Sequence, residues 1–429
     1  MINNLEVIQA LQFSDVDQAN KSLLEFFATY LPFEIESVAI RPLAVSLNSI
    51  NGIITLKDHR KLFFKTHVES QGIINEYYNS AVLLDAGYKV LQPIHSVTEQ
   101  GKQVLIYEYL NIPSLFDVLH EIEIGEPKDL KNIIAIQRNA DAELLRIYLQ
   151  TLAYSTTEEQ AKAPIHQLFY HRLVGGRFAH FYLGKELLLP NCVTSFEQLN
   201  QLSWNINGTI YQDTIESLVQ KAIHILNPIR GNRLSVVGHG DAHNGNIFLD
   251  EEHSQLLYFD PAFAGRHSPL LDLVKPLFHN VFANWMYFPE MIANDLSIDF
   301  AIQDGTIVVQ HDFVPSAIRK VFFRSKIDTV LKPLLSELKS QGDLLPDWKL
   351  YLKLALFCCS FLTMNLSNRK KFPPEITLLG LSMSVEMGSR GILKNGSILD
   401  SEIDQVAAFL GEGNAEYSPG QHIVDTGDE

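Results

Sequence analysis

VVGHGDAHNGNIFL, residues 236–249, is the stretch on which the rest of the chain is read. Between its apolar ends, His239 to Gly245 hold two His, one Asp, one Asn and two Gly, and Asn246 follows at once. Two chemistries use such a set. Alternate positions of an extended chain share one side, so His239, Asp241 and His243 could line a metal cage, and His with carboxylate suits zinc or iron. The other is a phosphoryl-transfer loop, in which the Asp handles a hydroxyl and the Asn holds magnesium.

The next residues sharpen the choice. Asn246–Leu249 and Leu256–Phe259 are apolar runs with the polar DEEHS between them, a hairpin signal with a five-residue loop centred near His253. In that register Asn246 faces Asp260, and opposed residues have Cα atoms roughly 4.5–5.5 Å apart. An amide oxygen and a carboxylate would then converge, which suits a hard, oxygen-ligated cation. Asp241, on the loop leading in, can accept or orient the proton of an attacking hydroxyl.

Bulk properties limit the alternatives. A chain of 429 residues is long for one compact domain, so two lobes or domains are expected. With 34 Lys plus Arg against 50 Asp plus Glu, the net charge of -16 argues against a nucleic-acid partner and weakly favours a neutral or cationic small substrate. The N-terminus, MINNLEVIQALQFSDVD, has no basic start followed by an apolar core. LALFCCSFLTMNL, 354–366, is too short to span a bilayer and reads as a buried helix. Cys192, Cys358 and Cys359 form no disulfide framework, so a cytoplasmic, reducing setting is expected.

Along the chain, 1–36 reads as a helical lead-in. Strand-like runs follow at Ser37–Val45, Gly52–Leu56 and Lys61–Thr66, then a helix over 68–86 stopped by Gly87, then strands at Val90–Val97 and Gln103–Tyr107. From about 112 the pattern is largely helical, with inserts at 120–232 and a hairpin at 297–313 turning on Asp304-Gly305. Ser401 with Asp404 has the spacing of a capping box for a last helix ending at Gly411. Residues 412–429, acidic and without Lys or Arg, read as a disordered tail.

HGDAHNGN, followed by Asp260 and by the run Gly265 to Leu273, resembles the aminoglycoside phosphotransferase / choline kinase superfamily, small-molecule kinases with the protein-kinase-like fold. The resemblance implies an α+β, bilobal fold, with a small β-rich N-lobe around one main helix and a larger, mostly helical C-lobe. It divides the chain into 1–110, 111–411 with the catalytic loop within 236–273, and the tail. It implies ATP and Mg2+ as cofactors, a small-molecule hydroxyl acceptor, and no nucleic acid or membrane partner. Asp241 resembles the catalytic Asp, and Asn246 and Asp260 the magnesium ligands. His239 and Asp272 are implied to support the catalytic loop, and His243 is given no chemical role.

The same resemblance asks the N-terminal lobe for a strand Lys and a helix Glu. KLFFKTH offers Lys65; Glu76 lies on the apolar stripe of the next helix, where a carboxylate is costly unless paired. VLIYEYL resembles the hinge, with the backbone of Glu108 and Leu110 presented to adenine. The departures are a loop, SLNSINGI, with one Gly instead of a Gly-rich motif, and HGD and DPA where protein kinases carry HRD and DFG. A protein substrate is therefore not expected. The rival readings are a metal-dependent hydrolase on His239, Asp241 and His243, and a kinase-like module that holds nucleotide without turnover. HQLFYHRLVGGRFAHFY, 166–182, is a further candidate for substrate recognition, against the plainer reading of a packed amphipathic helix.

Overall fold

Asp15 accepts the backbone N–H of Gln18 at 3.0 Å and starts the second of two helices, α1 (Asn4–Leu11) and α2 (Val16–Tyr30). In this computed structural model the described residues are 4–12, 14–41, 49–67, 74–99, 101–211, 213–229, 231–392 and 396–412. On α2 the buried residues Ala19, Leu23, Phe26 and Phe27 recur with helical spacing. They rest on a sheet of β1 (Ile35–Ile40), β2 (Ser49–Leu56) and β3 (Lys61–His67). Phe27 meets Phe64 edge-on at 4.9 Å between ring centres; burying each such side chain is worth roughly 1.5–3 kcal/mol.

After the helix α3 (Ile74–Ala86) come β4 (His95–Val97) and β5 (Val104–Glu108), which complete an antiparallel sheet in the order β1-β2-β3-β5-β4. The strand expected over Val90–Val97 is therefore shorter. Pro93 has no N–H to give to a ladder, and Val90 instead makes an isolated parallel bridge to Tyr258. Two-residue alternation along β3 turns Leu62 and Phe64 toward α2 and puts Phe63 and Lys65 on the opposite face.

A short link, 109–114, leads into α4 (Leu115–Glu123), which Ser114 caps by accepting the Asp117 N–H at 3.1 Å. The long helix α5 (Leu130–Thr151) follows. The larger, mostly helical part has its own core around the helices Trp348–Leu362 and Pro374–Gly388. Cys358 and Cys359 lie fully enclosed there, and burial pushes the Cys359 thiol up to about 11. The stretch 166–182 is not one helix. It breaks into turns of helix at Pro164–Leu168, Tyr170–Val174 and Arg177–Tyr182, the last opened by Gly176 at φ +95°.

The hairpin Ile298–Gln303 with Thr306–His311 forms as expected, turning on Asp304 and Gly305 at φ 48° and 75°. It joins Ser203–Ile206 and Thr209–Tyr211 in a four-stranded sheet. The last helix is Ile398–Phe409, and its cap is Ser397, which accepts the Asp400 N–H at 3.1 Å. Ser401 lies inside that helix, so the expected cap was four residues late. The proposed tail lies outside the described residues from 413 onward, as do residues 46–48 of the loop 46–53. Among the described residues no helix is long and apolar enough to cross a membrane.

Candidate active site

Five strands frame the quoted stretch. Arg233–Gly238 pairs with Gly265–His267 and with Ala153–Ser155, and Ile247–Asp250 pairs with Gln255–Tyr258. The observed register sets Ile247 opposite Tyr258, so Asn246 meets Phe259, whose N–H donates to the Asn246 carbonyl at 2.9 Å. The expected pairing of Asn246 with Asp260 is thus off by one. The cause is a turn of four residues rather than five, Glu251 to Ser254, with Ser254 at φ 50° and Asp250 accepting the His253 N–H at 3.2 Å. Asp260 then leaves the strand at φ 57°, a conformation rare outside Gly, Asn and Asp.

That turn of the backbone aims Asp260 at the sheet lobe, where its carboxylate forms an ion pair with Lys65. The Lys65 side chain is only 5% exposed and that of Asp260 29%. Phe63, two residues before Lys65 and on the same face, meets Phe259 at 5.6 Å, and Phe259 also meets Tyr107 and Phe248 at 5.0 and 5.8 Å. Asn79 of α3 donates to the carbonyl of Pro261 at 3.2 Å. The backbone of Glu76 lies on α3, but its side chain is outside the described residues, so the expected pair with Lys65 is not addressed. Glu108 ends β5 opposite Leu62 and is exposed; Leu110 is half-buried in the link that follows.

Asp272 organises the loop from below. One carboxylate oxygen accepts the Gly240 N–H at 2.5 Å and His267 Nε2–H at 2.9 Å, while the other accepts the Tyr148 hydroxyl. Burial raises its pKa, but the His267, Tyr148 and Gly240 contacts outweigh that and hold it below the usual carboxylate range. Gly238 and Gly240 make the approach feasible. A Cβ on Gly238 would stand 2.5 Å from Asp272 Cγ, and Gly240, at φ +81°, would put one 2.4 Å from the Phe263 carbonyl oxygen.

His239 is fully buried, its Nδ1 accepting the Asp241 N–H at 3.3 Å and its Nε2–H donating to the Phe259 carbonyl at 2.9 Å. Burial holds it below its ordinary pKa, as this neutral tautomer requires. Both nitrogens are spent on the backbone. His243 Nδ1 likewise accepts the Gly245 N–H at 3.1 Å. A cage on His239, Asp241 and His243 would have to break this bracing, and among the described residues no group of three or more His, Cys, Asp or Glu is disposed to hold a metal.

Asp241 itself is nearly enclosed. Lys275 Nζ lies 3.3 Å from its Oδ1, yet that oxygen has no hydrogen-bond partner. Burial raises the Asp241 pKa, while Lys275, His243, Arg172 and His239 bring it below the ordinary value. Asn246 Nδ2 donates to the Asp241 carbonyl at 3.0 Å, which fixes the plane of the Asn246 amide. Lys275 and Arg172 are absent from the sequence reading. Lys275 had a signal: a lone cation in the apolar run LVKPLF, on a helix (Pro269–His279) whose every residue is buried, must have a partner. Arg172 had none beyond its place in the aromatic stretch 166–182.

A five-stranded sheet with a packed helix is joined by a single link to a helical lobe carrying a short hairpin. The fold is protein-kinase-like. No family model matches the sequence, and no curated protein matches it significantly. Solved structures similar to it include an aminoglycoside phosphotransferase in ternary complex with AMP-PNP and hygromycin B (9% identity, 86% of this chain and 99% of that chain, TM-score 0.45). An amicoumacin kinase complex with AMP-PNP and Ca2+ (12%, 96% and 95%, TM-score 0.42) and a Plasmodium vivax ethanolamine kinase (12%, 94% and 93%, TM-score 0.41) are others. The similar structures named here are thus small-molecule phosphotransferases and kinases.

Proposed function

We propose that this chain is an ATP-dependent phosphotransferase that moves the γ-phosphoryl group to a hydroxyl of a small molecule, with residues 1–110 and 111–411 as its two lobes. The observation that carries the reading is the ion pair of Lys65 with Asp260, made across the two lobes next to Asn246 and the partnerless Asp241 Oδ1. An alternating pair of charges at such a mouth suits triphosphate and cation together. The donor set fits magnesium: a carboxylate on Asp260 and the amide oxygen of Asn246, whose nitrogen is taken by the Asp241 carbonyl, are hard oxygen ligands. When bound there, magnesium would neutralise phosphate charge. Lys65 would hold phosphate oxygens, and the aromatic faces of Phe63 and Phe259 offer apolar surface to a planar base.

The Asp241 carboxylate would accept the hydrogen bond of the acceptor hydroxyl and take its proton as the oxygen attacks. His239 and Asp272 hold the loop that carries it, and fixed alignment is where such enzymes gain rate. Glu108 and Leu110 would present their backbone to the base, and Glu76 would orient Lys65. The test is ADP release from Mg-ATP against amino alcohols, sugars, hydroxy acids, amino acids and aminoglycosides, with Asp241→Asn alongside. Acceptor-dependent ADP that disappears in the variant is the expected result. Full turnover in Asp241→Asn with any acceptor would defeat the mechanism.

A further inference from the structure

Around Asp241 the enclosed positive charge exceeds the negative. Lys275, 3% exposed, is paired with Asp241. Arg172, on the short helix Tyr170–Val174, makes no ion pair among the described residues. Its Nη1 donates to Thr363 Oγ1 at 3.1 Å, and its Nε is enclosed with no hydrogen-bond partner. No hydrogen bond engages Nη2 among the described residues, so the Nε–Nη2 edge of the guanidinium is left unsatisfied. That edge is the planar fork that grips a carboxylate or phosphate through two parallel hydrogen bonds.

Arg172 lies within electrostatic reach of Asp241, and a chain of side-chain contacts connects the two. Thr363 Oγ1 lies 3.5 Å from His279 Nε2, which lies 3.4 Å from Lys275 Nζ, and Lys275 reaches Asp241. His279 Nδ1–H donates to the Tyr287 hydroxyl at 2.8 Å, so its Nε2 is the acceptor. Burial, reinforced by Lys275, keeps His279 neutral, and burial does the same to His243. The pocket therefore holds two fixed cations and one carboxylate. A guanidinium taken from water and left without a counter-charge is costly, and an anionic ligand is what offsets it. The net charge of -16 over the whole chain pointed toward a neutral or cationic acceptor; the pocket has the opposite sign.

We infer that the acceptor is a small hydroxylated anion, whose carboxylate or phosphate docks on the unsatisfied edge of Arg172 while its hydroxyl meets the Asp241 carboxylate. This rests on the phosphotransferase reading of Asp241. In the step, the acceptor O–H bond breaks and its proton goes to the Asp241 carboxylate. The oxygen forms a bond to the γ-phosphorus, and the bond from that phosphorus to the β–γ bridging oxygen breaks, its electron pair leaving with ADP. The anion takes no part in these bonds. It fixes which acceptors are aligned.

The test uses matched probes on the full chain with Mg-AMP-PNP: glycerate against glycerol, serine against ethanolamine, and glycerol 3-phosphate against glycerol, titrated by calorimetry. The carboxylate- or phosphate-bearing member of a pair should bind roughly 10- to 100-fold more tightly, the range for hydrogen bonds to a charged group. Arg172→Gln should abolish the preference. Arg172→Lys, which keeps the charge and the fold but not the fork, should lose the carboxylate preference more than the phosphate preference, and so tells the two anions apart. Equal or tighter binding of the neutral and cationic members, no binding by any anionic probe, or an unchanged ratio in a folded Arg172→Gln would each overturn the inference. ADP release from Mg-ATP with the bound probe is read separately. Arg172-dependent binding without ADP would remove the kinase reading and leave the anion site standing.

Discussion

Lys65 and Asp260, 195 residues apart in sequence, form an ion pair that joins the sheet lobe to the end of the hairpin Ile247–Tyr258. If the pair marks the phosphate site, removing either charge should act on turnover far more than on folding. Lys65→Met leaves a carboxylate that still reaches water, so its stability cost should be about 1 kcal/mol, in the range of weakly buried pairs. Its kcat/KM for ATP should fall roughly 100- to 1,000-fold, the scale seen when one charge-stabilising group is removed. Steady-state kinetics and a denaturant melt on the same preparation measure both.

Asp241 and Lys275 should behave as a coupled pair. Lys275→Met strands a nearly enclosed carboxylate, and Asp241→Asn strands an enclosed ammonium; each should cost about 3 kcal/mol. The double variant loses both charges at once and should recover part of that, with a coupling of roughly 1–3 kcal/mol in a double-mutant cycle. Strict additivity would mean that the 3.3 Å approach carries no energy. Turnover should be lost in all three.

Asp272 touches no expected substrate, yet three donors from three parts of the chain end on its carboxylate. Asp272→Ala leaves Tyr148, His267 and the Gly240 N–H unanswered inside the protein, at a cost of about 3–5 kcal/mol. Asp272→Asn keeps one acceptor oxygen and should cost about half as much. Because Gly240 is held by Asp272, the partly stable Asp272→Asn should lose kcat while its KM for ATP changes little. A large rise in KM with kcat preserved would count against a positioning role.

Legibility from the sequence followed how local the physics was. The strand Lys61–Thr66 and the Asp304-Gly305 turn are short-range facts, and the structure has them where the residues put them. The hairpin register was missed by one because turn length depends on Ser254 accepting φ 50° and on the Asp250 side chain, which composition does not announce. The last helix cap was misplaced for a related reason: Ser397 and Ser401 are four residues apart, and only packing decides which one lies at the end. Arg172 was unreadable, since its meaning comes from Thr363 and His279, far away in the chain.

Glu386, near the C-terminal helix, gives the pH dependence of stability a definite sign. It lies on the helix Pro374–Gly388 beside Lys353, Asp400 and Tyr211; the Tyr211 hydroxyl is 3.5 Å from its Oε1, and Lys353 spends its ammonium on Asp400 at 2.7 Å and on the Glu386 backbone carbonyl at 2.9 Å. Burial, with Asp400 adding to it against Lys353, pushes its carboxyl from 4.5 up to about 7. A carboxyl raised on folding binds its proton more tightly in the native state than in the unfolded chain. Its contribution to stability is therefore whole below pH 4.5 and is lost as pH rises through about 7. The loss should amount to about 2–3 kcal/mol, allowing for partial solvent contact. Glu386→Gln carries no such proton, so denaturant melts between pH 5 and 8 should fall in the native chain relative to the variant. Parallel curves over that range would show that Glu386 is ionised throughout.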